Sequence, residues 1–205
     1  GYVAEAARLG FGALHVAVNN EWFGLGTTRY AVVRVFHEPD ESYWIGVGET
    51  RSERYLQIAL GSKITTEVWC LDSAEPTGEF WCVRPREEGV EYDVEHAVVG
   101  GEDRFVVTHN KLAPNFLVAE GPAAPIADLD ALRTLVPHRE DVRIEGVDAF
   151  ARVLALGYRE SALPRFSLMP LDPESRSGTD AYGDFTPVEF DEVLFTSGPG
   201  ANPEW

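Results

Sequence analysis

Apolar and polar positions alternate along most of this chain in short runs, and few stretches show the period of an amphipathic helix. Tyr43–Gly48 (YWIGVG), Arg54–Leu60 (RYLQIAL), Thr66–Asp72 (TEVWCLD) and Glu79–Arg84 (EFWCVR) are β-branched and aromatic runs. Turn-forming residues, ETRSE, GSKI and SAEPTG, separate them, so the pattern predicts four strands. The succession repeats as YDVEHAV, DRFVVTH, NFLVAEG and RTLVPH from Tyr92, then as IEGVDAF, RVLALGY, RFSLMPL and TPVEF from Ile144. Two stretches read differently. IADLDALRTL (Ile126–Leu135) predicts a short turn leading into a strand, and YVAEAARLG (Tyr2–Gly10) a short helix.

Each group of strands opens with a charged turn: HEPDESYWIGVG, REEGVEYDVEHA and HREDVRIEGVDA. The strands after these turns, and a fourth after VEFDE, begin at Tyr43, Tyr92, Ile144 and Val193, at intervals of 49, 52 and 49 residues. A period near 50 with four strands per unit is the pattern of β-propeller blades. The expected architecture is all-β, a partial β-propeller of about three complete four-stranded antiparallel blades with partial blades at each end. Residues 1–42 read as a partial first blade, 43–91, 92–143 and 144–192 as complete blades, and 193–205 as the first strand of a following blade. A closed ring takes about four to eight blades. The chain thus reads as an open arc, and Gly1 and GANPEW read as cuts through a longer protein. Such an arc leaves apolar flanks bare and folds well only with the missing blades or by association.

Composition narrows the function. The formal net charge is −17 over 205 residues. That argues against nucleic acid, which needs a basic surface, and suits a cationic partner or plain solubility. No run approaches the roughly 18 apolar residues of a membrane helix, and the opening residues lack a signal-peptide pattern. Cys70 and Cys82 each follow a tryptophan in neighbouring strands. Two readings stay open for them, a pair facing across a hairpin and two reduced thiols. Nothing has the spacing of a zinc site or a phosphate-binding loop; GLGTTR at Gly24–Arg29 lacks the third glycine. A G-x-S-x-G nucleophile elbow is absent, and neither Ser62 nor Ser197 has its context. His37 and His138 share a repeat position and read as turn residues, while His96 and His109 lie on strands. All four read as structural. The acid pairs Glu87/Glu88 and Glu189/Asp191 read as solvated turn residues rather than glycosidase acids. In Arg84–His96 (RPREEGVEYDVEH), the charges are expected mainly on a solvated turn before the next inner strand.

RSERYLQIALGSKITTEVWCLD, PREEGVEYDVEH, DRFVVTHNKLAPNFLVAEGP, LVPHREDVRIEGVDAF and FDEVLFTSGPGANPEW occur in this order from about Tyr30 to Trp205. Together they resemble the propeller of the oligopeptidase B branch of the prolyl oligopeptidase family of serine peptidases. Over Gly1–Arg29, AVNNEWFGLGTTRY keeps only a trace of the family pattern. The resemblance implies a cytoplasmic peptidase in which a seven-bladed propeller caps an α/β-hydrolase domain and filters short peptides cleaved after Arg or Lys. The catalytic triad would lie in that hydrolase domain, which these residues do not include, so the resemblance assigns no catalytic residue, cofactor or metal here. The implied partners are the hydrolase domain and short basic peptides, not nucleic acid or membrane.

The positions expected to face a central channel lie on the first strand of each blade. They are Tyr43 in the first, Asp93 and Glu95 in the second, and Glu145 in the third. Asp93, Glu95 and Glu145 are the candidate contacts for a cationic peptide. The charged turns at 38–41, 86–88 and 139–141 share one rim. Two other readings remain: a free-standing acidic module that binds a protein or peptide, and a propeller enzyme acting on sugars.

Overall fold

The computed structural model describes residues 35–172 and 182–192. The helix expected at Tyr2–Gly10, the first 34 residues and the strand expected from Val193 lie outside them. The described residues form three four-stranded antiparallel sheets and no α-helix. The first sheet is β1 (Trp44–Glu49), β2 (Tyr55–Gly61), β3 (Thr66–Asp72) and β4 (Trp81–Arg84). The second is β5 (Tyr92–Val99), β6 (Glu102–His109), β7 (Leu117–Pro122) and β8 (Arg133–Val136). The third is β9 (Val142–Phe150), β10 (Val153–Glu160), β11 (Leu163–Pro170) and β12 (Thr186–Pro187). Within each sheet the strands lie in sequence order. This is the meander of a propeller blade, so the protein is a partial β-propeller. Ile126–Leu135 is a 3-10 turn at Leu129–Ala131, capped by the Asp128 carboxylate, that runs into β8.

The core lies between blades. On β5, Tyr92 and Val94 pack with Tyr55, Val68, Cys70 and Val83 of the first sheet. The alternate residues Ala97 and Val99 pack with Ile144, Ala149, Leu154 and Leu156 of the third. Period-two alternation thus gives the middle blade two apolar faces, one for each neighbour. At the first seam the fully buried Phe105 ring meets Tyr55 edge-on at 5.4 Å and stacks on Trp81 at 6.0 Å. The Tyr92 hydroxyl crosses the same seam, donating to Arg84 O at 2.6 Å and accepting from Val68 N at 2.8 Å.

The last strand of each sheet is short, with four, four and two residues. In the first two sheets it is also bulged at matching places. Val68 and Trp69 pair with Arg84 and Cys82, skipping Val83, and Val118 and Ala119 pair with Val136 and Thr134, skipping Leu135. The β5–β6 connection is a two-residue turn in which Gly100 and Gly101 have φ of 62° and 76°, a conformation glycine adopts without strain.

The turn before β5 differs from expectation. Arg84 is buried and pairs with Glu87 at 2.5 Å. Arg86 is held by Glu38 and Glu67, whose side chains are 4% and 8% exposed, and its guanidinium lies 4.0 Å over the Tyr43 ring. The arginines therefore bind rim turn to sheet, while Pro85, Glu87, Glu88 and Gly89 face solvent. In the second blade the buried Glu120 carboxylate is clamped by Arg104 at 2.5 Å and Arg133 at 2.6 Å. The cysteine pair is also settled. Cys70 stands opposite Trp81 and Cys82 opposite Trp69, so the two thiols leave opposite faces of the sheet and remain free. Burial pushes the Cys70 thiol up to about 12 and Cys82 to about 11, which keeps both protonated.

Two measurements test this packing. Phe105→Ala empties the first seam and is expected to cost about 3–5 kcal/mol in urea unfolding; a loss below about 1 kcal/mol would mean the seam is not the core. His109 is 1% exposed, and neither ring nitrogen has a hydrogen-bond partner among the described residues. Burial lowers its pKa, against a smaller opposing pull from Asp130. An unfolded histidine takes up a proton near pH 6.5, which the buried ring resists. The stability contributed by the neutral ring is therefore present above that pH and lost as pH falls below it. His109→Leu should flatten this acid limb, stabilising the protein more at pH 5 than at pH 8.

Candidate functional site

β5 and β9 lie side by side, and their polar residues cluster. Asp93 and Glu95 stand two apart on β5, on the face turned toward the third blade. Burial raises the Asp93 carboxyl pKa, and the Asp148 charge adds to the shift. By its surface, however, Asp93 is exposed to solvent, so the charge stays accessible along the seam. Glu95 is half-buried and is pushed up to about 7, first by burial and then by Asp93 and Asp148, against the opposing Arg51 N–H and charge. Arg51, on the β1–β2 turn, reaches across to pair with Asp148 of β9 at 2.5 Å and lies 4.5 Å over the Phe150 ring. Its backbone N–H points at Glu95 Oε2 at 3.5 Å. Asp93, Glu95 and Asp148 therefore form an acidic patch in which Arg51 engages the lower two.

Glu145 departs from simple alternation. Gly146 pairs with Gly157 and Ile144 with Tyr158, so Glu145 is the extra residue of a β-bulge in β9. It accepts Arg159 Nε at 2.5 Å. The structure thus brings Asp93 and Glu95 together on β5, with Glu145 on the neighbouring β9 lining the same opening as Asp93 but already paired with Arg159. Tyr43 is taken up by Arg86 at the rim.

One constellation has the residue types of acyl-transfer chemistry. Ser52 Oγ lies 2.8 Å from His96 Nδ1, and His96 Nε2 lies 3.0 Å from Asp103 Oδ1. Sequence spacing could not show this, because Ser52 sits on a hairpin turn of the first blade and the other two on strands of the second. A nucleophile also needs an oxyanion cradle, and four amides flanking Ser52 are already used. Thr50 N donates to Tyr55 O, Arg51 N to Glu95, Glu53 N to Thr50 O and Arg54 N to Ser52 Oγ. The imidazole is buried, with its pKa lowered by burial, and meets the Tyr55 ring edge-on at 5.3 Å. Neutral His96 with a proton on Nε2 satisfies both neighbours, so the set latches the first blade to the second. Among the described residues no group of His, Cys, Asp and Glu is arranged to hold a metal ion, and no helix is long and apolar enough to cross a membrane.

Comparison with known proteins agrees with this architecture. Residues 22–201 match the family described as prolyl oligopeptidase, N-terminal beta-propeller domain. Dipeptidyl aminopeptidase BI of Pseudoxanthomonas mexicana is 31% identical over 181 residues, covering 88% of this chain and 23% of that protein. The structure of oligopeptidase B from Trypanosoma brucei, a closed form with covalently bound antipain, superposes with a TM-score of 0.67 at 30% identity, over 80% of this chain and 22% of that one. Oligopeptidase B from Leishmania major gives 0.68 at 26% identity, with the same coverage. The chain spans less than a quarter of each of these relatives. Three four-stranded blades in meander order, matched along nearly their whole length, place the chain in the prolyl oligopeptidase N-terminal β-propeller family.

Proposed function

We propose that this chain is the substrate-filtering propeller of an oligopeptidase B-like, cytoplasmic serine peptidase that cleaves short peptides after Arg or Lys. Catalysis would come from an α/β-hydrolase domain outside these residues. The observation that carries the reading is the acidic patch of Asp93, Glu95 and Asp148 on adjoining strands of a propeller-family fold. Negative potential in a cleft raises the local concentration of cationic peptides. The arc's own Ser–His–Asp set is spent as a latch, so this chain contributes selection rather than bond cleavage.

The experiment is turnover of an Arg-containing fluorogenic dipeptide by the 205-residue chain and by the full-length peptidase. No turnover by the chain is expected, with turnover by the full-length protein that prefers Arg and Lys. Turnover by the chain that a serine-reactive inhibitor blocks and Ser52→Ala abolishes would overturn the division of labour. A full-length enzyme indifferent to basic residues would overturn the specificity.

The patch also predicts a pH effect. The native Glu95 carboxyl holds its proton up to about pH 7, whereas an unfolded glutamate loses it near 4.5. The native state therefore binds more protons in that window, and stability falls as pH rises through it. Glu95→Gln should raise the melting temperature by about 2–4 °C at pH 8 and leave it unchanged at pH 4. Equal effects at both pH values would assign the change to packing instead.

A further inference from the structure

A cavity of about 320 Å³ opens at the seam of the second and third blades, near the starts of β5 and β9. Its size is at the small end of ligand pockets, which run from about 300 to 1,000 Å³. Asp93 and Thr108 are direct partners in the β5–β6 ladder, so both side chains stand on the sheet face that lines this cavity. Phe116 and the Glu145–Gly146 bulge line it as well.

The polar lining falls into used and unused groups. Thr66 Oγ1 donates to Tyr92 O at 2.7 Å and accepts from Tyr92 N at 2.6 Å. Glu91 accepts from Asn110 Nδ2 at 3.1 Å, and Glu145 from Arg159. The basic side chain of the lining, Arg143, lies 5.2 Å over the Phe116 ring. Two groups remain. Thr108 is only 8% exposed and lines the cavity, and its hydroxyl makes no hydrogen bond to the described residues. Asp93 beside it is exposed and interacts with the Val94 backbone N–H and the Asp148 charge, with no basic side chain among its partners in the described residues. A hydroxyl that opens onto a cavity with no protein partner is free to donate to or accept from a guest.

Three carboxylates against one guanidinium disfavour an anion here. A neutral apolar guest would leave Asp93 uncompensated and Thr108 unpartnered. We propose that this cavity receives the cationic end of a single Arg or Lys side chain from a bound peptide. The guest's N–H groups donate to the Asp93 carboxylate and the Thr108 hydroxyl, and its methylene stem runs along Phe116. This inference rests on the basic-peptide reading above and adds to it a discrete site on the propeller, apart from any pocket at the scissile bond.

The test is a titration of the 205-residue chain with N-acetyl-arginine amide, N-acetyl-lysine amide and the uncharged isostere N-acetyl-citrulline amide, followed by amide chemical shifts. The Arg and Lys probes should shift residues around Asp93, Thr108 and Gly146, and citrulline should not. Asp93→Asn and Thr108→Val should each weaken binding at least about tenfold, whereas Thr108→Ser should retain it. If Asp93→Asn melts early, the near-isosteric Thr108 pair decides alone. Citrulline binding as well as arginine, affinity unchanged in Thr108→Val, or shifts centred on Glu95 and Asp148 would each overturn the proposal. An Arg/Lys-specific full-length enzyme whose KM ignores these substitutions would remove the pocket and keep the proposed function. Binding that follows this pattern beside cleavage indifferent to basic residues would keep the pocket and remove the specificity.

Discussion

The fold depends on the packing of one blade's face against the next. A four-stranded meander cannot bury both of its sides alone, and the middle sheet shows how the chain answers this. Tyr92 and Val94 leave β5 toward the first blade, and Ala97 and Val99 leave it toward the third. Because one strand serves two seams, the blades support each other in series, as expected where each repeat contacts only its neighbours. The polar latches follow the same lines. Ser52–His96–Asp103 and the Tyr92 hydroxyl join the first and second blades, and Arg51–Asp148 ties the first blade's turn to β9.

This dependence explains what could be read from the sequence. The meander of strands and their recurrence at about fifty residues were legible, because alternation and turn residues are local signals, and from them came an all-β partial propeller. What was not legible involves neighbours distant in sequence. Arg84 and Arg86 look like solvated turn charges until Glu38 and Glu67 are brought beside them. Alternation placed Glu145 with the channel residues, and a bulge in β9 re-aimed it toward Arg159. The Ser52–His96–Asp103 set joins residues 44 and 51 positions apart and left no motif. Asp93 and Glu95 could be named because a carboxylate on the first strand of a blade is visible as such. The raised Glu95 pKa was not, because it reflects burial and the nearness of Asp148.

The electrostatics divide by position. At the rims and within the blades, carboxylates are matched: Glu120 by two arginines, Glu67 by Arg86 and Asp128 by Lys111. Along the seam of β5 and β9 they are not fully matched, and there partial burial and neighbouring acids make the ionisation of Glu95 costly. Unmatched charge inside a fold is kept at the expense of stability, as is usual where a protein holds groups ready for a ligand.

The tapering of each blade has a consequence for assembly. The first strands have six, eight and nine residues, and the last have four, four and two, with bulges in the first two sheets and Pro187 in the third. A foreign strand seeking to extend a sheet outward finds a ladder too short and too irregular to copy. The broad sides of the blades carry the adhesive surface instead. Growth is thereby steered around a circumference, by stacking whole blades, and away from the radial pairing that would turn an unfinished ring into a fibre.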